Sequence, residues 1–122
     1  MARTLARRLA SLGKHSKFRN TPVVVDGVRF ASKLEAKRWQ ELRLLERAGK
    51  ITDLQRQPRY PIEVSGHHIS VYYGDFSYVE GRVLRVCEDT KGFQTDEFKL
   101  KWKLVTALYP YVQFRLYPPR AT

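Results

Sequence analysis

The chain has 122 residues, room for one domain around one modest core. Hydrophobic residues make up 43%, an ordinary globular share, and no apolar run approaches the ~20 residues that span a bilayer. A membrane is not the expected partner, although an anionic membrane or ribosomal RNA would satisfy the charge of this chain equally. Lys and Arg number 23 against 12 acids, a net charge of +11, which nominates a polyanionic partner and nucleic acid first, because phosphate contacts release condensed counterions.

Residues 1–20 carry Arg3, Arg7, Arg8, Lys14, Lys17 and Arg19 ahead of the first acid, Asp26. They lack the apolar core of a secretory signal, although an Arg-rich, acid-free start also suits a transit peptide. Leu5, Leu9 and Leu12 fall at helical spacing. The segment reads either as a solvated terminus or as a basic arm that grips a nucleic-acid backbone. Residues 21–122 read as the single folded domain.

Val23-Val24-Val25 and Val28-Arg29-Phe30 flank Asp26-Gly27, the pattern of a tight hairpin. A helix follows, with Ser32 as N-cap, Glu35 three residues later and Gly49 closing the end. Leu34, Leu42, Leu45 and Ala48 line one face, with Trp39 at its margin. Ile51–Leu54 and Tyr60–Val64 read as short strands about a loop at Gln57-Pro58. Ser65-Gly66 turns the chain into Ile69–Val79, a run rich in Val, Tyr and Phe, and Glu80-Gly81 turns it again into Val83–Glu88. Beyond the break at Gly92-Phe93-Gln94, Thr95 caps a second helix whose first turn holds Asp96 and Glu97. That helix runs to about Tyr109, stops at Pro110, and gives way to a last strand, Tyr111–Leu116. Hairpin, helix, three or four strands, helix and strand make a small α/β sandwich.

Asp89 and Lys91 are two apart on a strand, so their side chains share a face. A carboxylate beside an ammonium suits phosphodiester chemistry: the acid holds a hard cation such as Mg²⁺, and the lysine orients water or stabilises developing charge. Asp75 interrupts an aromatic run, where an unpaired buried acid is costly. The apolar pattern sets Phe76 and Tyr78 on the face of Leu84 and Val86, which puts Asp75 with Cys87, Asp89 and Lys91 and turns Glu88 away. Register stays open. A loop of Glu80–Leu84 sets Asp75 directly opposite Asp89, whereas a tighter turn at Val79–Gly81 separates the two acids. Glu35 completes a capping box with Ser32, yet it also lies within the apolar arc of its helix and so faces the sheet. His67-His68 at a turn, with only His15 elsewhere, argues against a histidine metal site. Tyr72, Tyr73 and Tyr78 suit sheet packing better than base stacking. Cys87, the lone cysteine, excludes an internal disulfide, fits a reducing compartment and reads as a small core residue.

The strings Phe30-Ala31-Ser32-Lys33-Leu34-Glu35-Ala36-Lys37-Arg38, Gly74-Asp75-Phe76 and Glu88-Asp89-Thr90-Lys91-Gly92-Phe93 together resemble a family of small phage-associated proteins in the PD-(D/E)XK nuclease superfamily. The stretches Leu44–Ile51 and Leu54–Pro58 look like its linker, and the likeness covers about residues 23 to 115. The resemblance implies a restriction-endonuclease-like α/β core, a central mixed sheet flanked by two helices. It implies a metal-dependent endodeoxyribonuclease using Mg²⁺, with Mn²⁺ as substitute, in the cytoplasm of a bacterial host. Junction resolvases share the core and work as dimers, which raises Holliday junctions or branched DNA as substrate and a homodimer as the assembly; a non-catalytic nucleic-acid-binding protein is the rival. On this template Glu35, Asp75, Asp89 and Lys91 are catalytic, and Asp75, Asp89, Glu35 and the Thr90 carbonyl are the metal ligands. Lys99, Lys101 and Lys103, with the N-terminal arm, hold the backbone, and Gln57 and Gln94 touch DNA or the lysine. Gly74 stands where the family usually has proline.

Overall fold

The computed structural model describes residues 21–90 and 94–119, and the chain divides into two units, 1–37 and 38–122. In the first unit β1 (Val23–Val25) and β2 (Val28–Phe30) pair antiparallel, with Val25 opposite Val28. Asp26 and Gly27 both take positive φ, 51° and 77°, as a two-residue hairpin turn that matches strand twist requires. Helix α1 (Lys33–Arg47) begins in this unit, and the Ser32 hydroxyl accepts the Glu35 N–H at 3.1 Å, the expected N-cap. Phe30, Glu35 and Ala36 are buried.

Helix α1 continues through the second unit and ends where Gly49 takes a φ of 75°. Gly49 N–H bonds Glu46 C=O and Lys50 N–H bonds Leu45 C=O, the paired closure that satisfies a helix's last carbonyls. Leu42 is fully buried, but Leu45 and Ala48, expected on the apolar face, are exposed. Four strands form a mixed sheet in the order β3 (Ile51–Arg56), β6 (Phe76–Glu80), β7 (Leu84–Thr90) and β8 (Val112–Tyr117). Only β7 and β8 run parallel, and the crossover between them carries helix α2 (Asp96–Leu108). Thr95 caps α2, accepting the Phe98 N–H, and Tyr109 ends it as expected.

The expected single run Ile69–Val79 is two strands. β4 (Arg59–Val64) and β5 (His67–Tyr73) form a separate two-stranded sheet, and β5 stops before Gly74. Arg56 pairs with Phe76 and Arg59 with Tyr73, so each strand advances three residues between the two pairings. Residues 51–80 are therefore one long hairpin bent at mid-length, with Gln57-Pro58 on one strand and Gly74-Asp75 on the other at the corner. Alternation along a continuous strand hid this break, because the residues on both sides of it are equally β-forming.

Period-two alternation gives β6 and β7 two different faces. Phe76, Tyr78, Val86 and Glu88 face α1, where Trp39 stacks on Phe76 at 5.7 Å between centroids. Ile62, Tyr72, Cys87, Val105 and Val112 form the core on the other face, joined by Tyr60, Phe98, Trp102, Leu104, Tyr109 and Phe114. No helix among the described residues is long and apolar enough to cross a membrane.

Candidate active site

The bend in the long hairpin builds the site. Glu80 pairs with Leu84, so the wider loop is the one adopted, and the register runs on to Phe76 opposite Glu88. The pairing ends there, and Asp75 stands at the corner bonded to the residues on either side of Asp89, Glu88 and Thr90. The Asp75 N–H bonds the Glu88 carbonyl at 2.9 Å, and the Asp75 carbonyl accepts the Gln57 N–H at 2.8 Å. Gln57 itself takes a φ of 52°, and its side chain is exposed. Gly74 N–H bonds Pro58 C=O at 3.0 Å. A Cβ at position 74 would lie 2.3 Å from the Cys87 Sγ and 3.2 Å from Pro58 Cγ. Glycine is thus the residue that fits, and a proline there would also lose the N–H.

Both carboxylates are held. Asp75 Oδ2 accepts the Thr90 N–H at 2.7 Å and the Thr90 hydroxyl at 2.6 Å. Asp89, 2% exposed, accepts the Tyr72 hydroxyl on Oδ2 at 2.5 Å. Burial pushes the Tyr72 phenol far above its usual range, and the charges of Asp89 and Asp75 push the same way. Burial likewise raises the Cys87 thiol, helped by Asp89, Asp75 and Glu88, which fits an inert core residue and not a nucleophile. Two neighbouring groups thus feel Asp75 and Asp89 together. The oxygen donors of this pair suit a hard cation that takes one or two carboxylates and fills its other positions with water or phosphate. Among the described residues no group of three His, Cys, Asp or Glu side chains forms a fuller cage.

The remaining expected residues distribute as follows. Glu35 is buried in the first turn of α1, within the first unit. Lys91 and the arm residues Arg3, Arg7, Arg8, Lys14, Lys17 and Arg19 lie outside the described residues. Lys99 and Lys103 are exposed on α2, whereas Lys101 is half-buried and reaches Glu97 at 4.0 Å. Gln94 lines a groove with Phe98, Lys99, Trp102, Lys103 and Leu116. Glu88 faces away from Asp75, as parity requires, and receives Arg38 at 2.8 and 2.6 Å together with the Tyr78 hydroxyl.

Sequence reasoning missed two partners. Tyr72 packs in the core as expected, yet its hydroxyl ends on Asp89. Thr90 supplies its amide and hydroxyl to Asp75, where only its carbonyl had been considered. A Thr three residues past Cys87 and one past Asp89 carried no signal of that bond, because it depends on the corner.

Fold and site together define an α/β protein with a mixed four-stranded sheet and a pair of held carboxylates at a bend beside its middle strands. The chain belongs to the family described as protein of unknown function DUF1064, whose model matches residues 15–117. No curated protein and no solved structure matches the chain.

Proposed function

We propose that this protein is a metal-dependent endonuclease of the PD-(D/E)XK type that hydrolyses DNA phosphodiester bonds. The observation that carries the reading is the corner where Asp75 is bonded on either side of Asp89, its N–H on the Glu88 carbonyl and its carboxylate accepting twice from Thr90. Asp75 and Asp89 would hold Mg²⁺ or Mn²⁺, which when bound supplies Lewis-acid stabilisation of the phosphate and lowers the pKa of water. Thr90 fixes one Asp75 oxygen, and the other would be the one to meet the cation. Tyr72 fixes the rotamer of Asp89. Lys91, two residues beyond Asp89 in the sequence, orients the attacking water or stabilises developing charge. Lys99, Lys103 and the basic arm hold the backbone, in keeping with a net charge of +11. A junction or other branched substrate would call for a homodimer with two active sites.

The test incubates the protein with supercoiled plasmid, linear duplex and four-way junction in Mg²⁺, Mn²⁺ or EDTA. Metal-dependent cleavage of at least one substrate is expected, abolished by Asp75→Ala and by Lys91→Ala with binding retained. Binding without cleavage on every substrate and metal would instead establish a nucleic-acid-binding protein.

A further inference from the structure

The register of β7 on β8 sets Leu116 beside Asp89. Leu116 also lines the groove of about 200 Å³ that Gln94, Phe98, Lys99, Trp102 and Lys103 complete. The aromatic walls are braced. Trp102 lies 5.4 Å from Phe98, 6.0 Å from Phe114 and 6.4 Å from Tyr72, centroid to centroid. Tyr72 in turn bonds Asp89, so one packed chain of side chains runs from the groove to the candidate active site. Phe98 and Trp102 are only half-buried, Lys99 and Lys103 are exposed, and among the described residues no acid lines the groove. Core packing accounts for the rings' inner faces. It does not account for two ammonium groups at the mouth of an apolar slot.

We propose that this groove takes one unpaired nucleobase of a single-stranded nucleic acid, stacked against Trp102 and Phe98, with the flanking phosphates on Lys99 and Lys103. The volume falls below the roughly 300–1,000 Å³ of sites for larger ligands and suits a single planar ring system. Rings already locked by packing lose little freedom when a base stacks on them. A base inside duplex is covered on both faces and cannot enter. Combined with the proposed nuclease activity, on which this clause rests, the pocket makes the substrate a DNA with a single-stranded portion next to the scissile bond.

Binding is measured by fluorescence anisotropy in EDTA, with the full chain, on a short labelled oligothymidine, the same backbone with abasic sites, and a blunt duplex. The intact strand should bind about tenfold more tightly than the abasic one, the effect of one stacked base. It should also quench tryptophan fluorescence, which the abasic strand should not. Trp102→Leu should erase the difference between the strands, while Lys99→Ala with Lys103→Ala should weaken both alike and flatten the salt dependence. Equal affinity and equal quenching for intact and abasic strands overturn the pocket, and this measurement on the unmodified chain needs no variant to fold. Base-dependent binding without cleavage brings down the nuclease reading alone; cleavage with equal binding brings down the pocket alone.

Discussion

Glu88 and Asp89 are neighbours on β7, each 2% exposed, and they meet opposite surroundings. Glu88 turns toward α1, where the Arg38 guanidinium grips both its oxygens and Tyr78 donates a third bond. Burial works against the charge of Arg38, but Glu88 and Glu41 hold its pKa above the ordinary value. Asp89 turns the other way, where the donor on Oδ2 is a neutral phenol. One carboxylate is neutralised by a fork fitted to it, which is how a protein stabilises a buried acid it keeps for the fold. The other lies close to a second acid, Asp75, since both charges act on Tyr72 and Cys87.

Breaking the first pair should have the largest effect on folding. Arg38→Met leaves a carboxylate buried without its fork and should cost about 3–5 kcal/mol, read from urea unfolding. Adding Glu88→Gln should recover most of the loss, since the amide still accepts from Tyr78. A loss below 1 kcal/mol for Arg38→Met would mean that Glu88 is not the structural acid of the two.

Asp89→Asn should do the reverse. The amide oxygen still accepts from Tyr72 and a buried charge is removed, so the midpoint of thermal unfolding should stay within a few degrees. Cleavage should fall by more than about 100-fold, beyond the usual loss for an outer-shell partner of a metal site. A variant that unfolds like Arg38→Met would make Asp89 a structural acid and erase the contrast.

The two phenols give a finer comparison. Tyr72→Phe removes a hydrogen bond to a buried charge and should cost roughly 1.5–3 kcal/mol, whereas Tyr78→Phe leaves Glu88 with its guanidinium and should cost about 1 kcal/mol. Both phenols are raised by burial first and by their carboxylates next, and burial also raises Tyr60, to about 12. The fold therefore favours the neutral phenols. That stability is fully present below the unfolded value near pH 10 and is lost as pH rises toward 12, so the phenols should lower the unfolding temperature on the alkaline side. Tyr72→Phe should soften that decline, and an unchanged alkaline profile would count against a strongly raised Tyr72.

Local chemistry made much of the fold legible before the structure: Asp26-Gly27, Ser32, Gly49 and Thr95 each mark a boundary through a turn or cap that needs no tertiary partner. Parity along β6 and β7 put Asp75 with Asp89 and turned Glu88 away, since alternation is fixed by the pleat. Register was not legible, because it depends on how many residues the loop from Glu80 to Leu84 leaves unpaired. The corner was hidden too. Nothing in Val-Tyr-Tyr-Gly-Asp-Phe says that the strand changes sheets, and the partner that enforces it, Pro58, lies on the other arm of the hairpin. The Arg38–Glu88 and Tyr72–Asp89 bonds join residues far apart in sequence and follow only from that folded register.

Gly74 tests whether the corner is what sets the two acids side by side. Its Cβ position is occupied by the Cys87 Sγ, itself fully buried, so Gly74→Ala forces either the sulfur or the strand to move. The expected cost is about 1–3 kcal/mol, as for other overpacked sites. Cys87→Ala alone should be mildly destabilising through its lost packing. Together the two changes should be better than additive by about 1 kcal/mol, because the second makes room for the first. Purely additive losses would mean that the strain at position 74 comes from Pro58 or from the backbone and not from Cys87. Cleavage separates the consequences further. If the corner orients Asp75 through the Asp75 N–H on Glu88 and the Gln57 N–H on Asp75, Gly74→Ala should lower activity more than stability, and the Cys87→Ala companion should restore both.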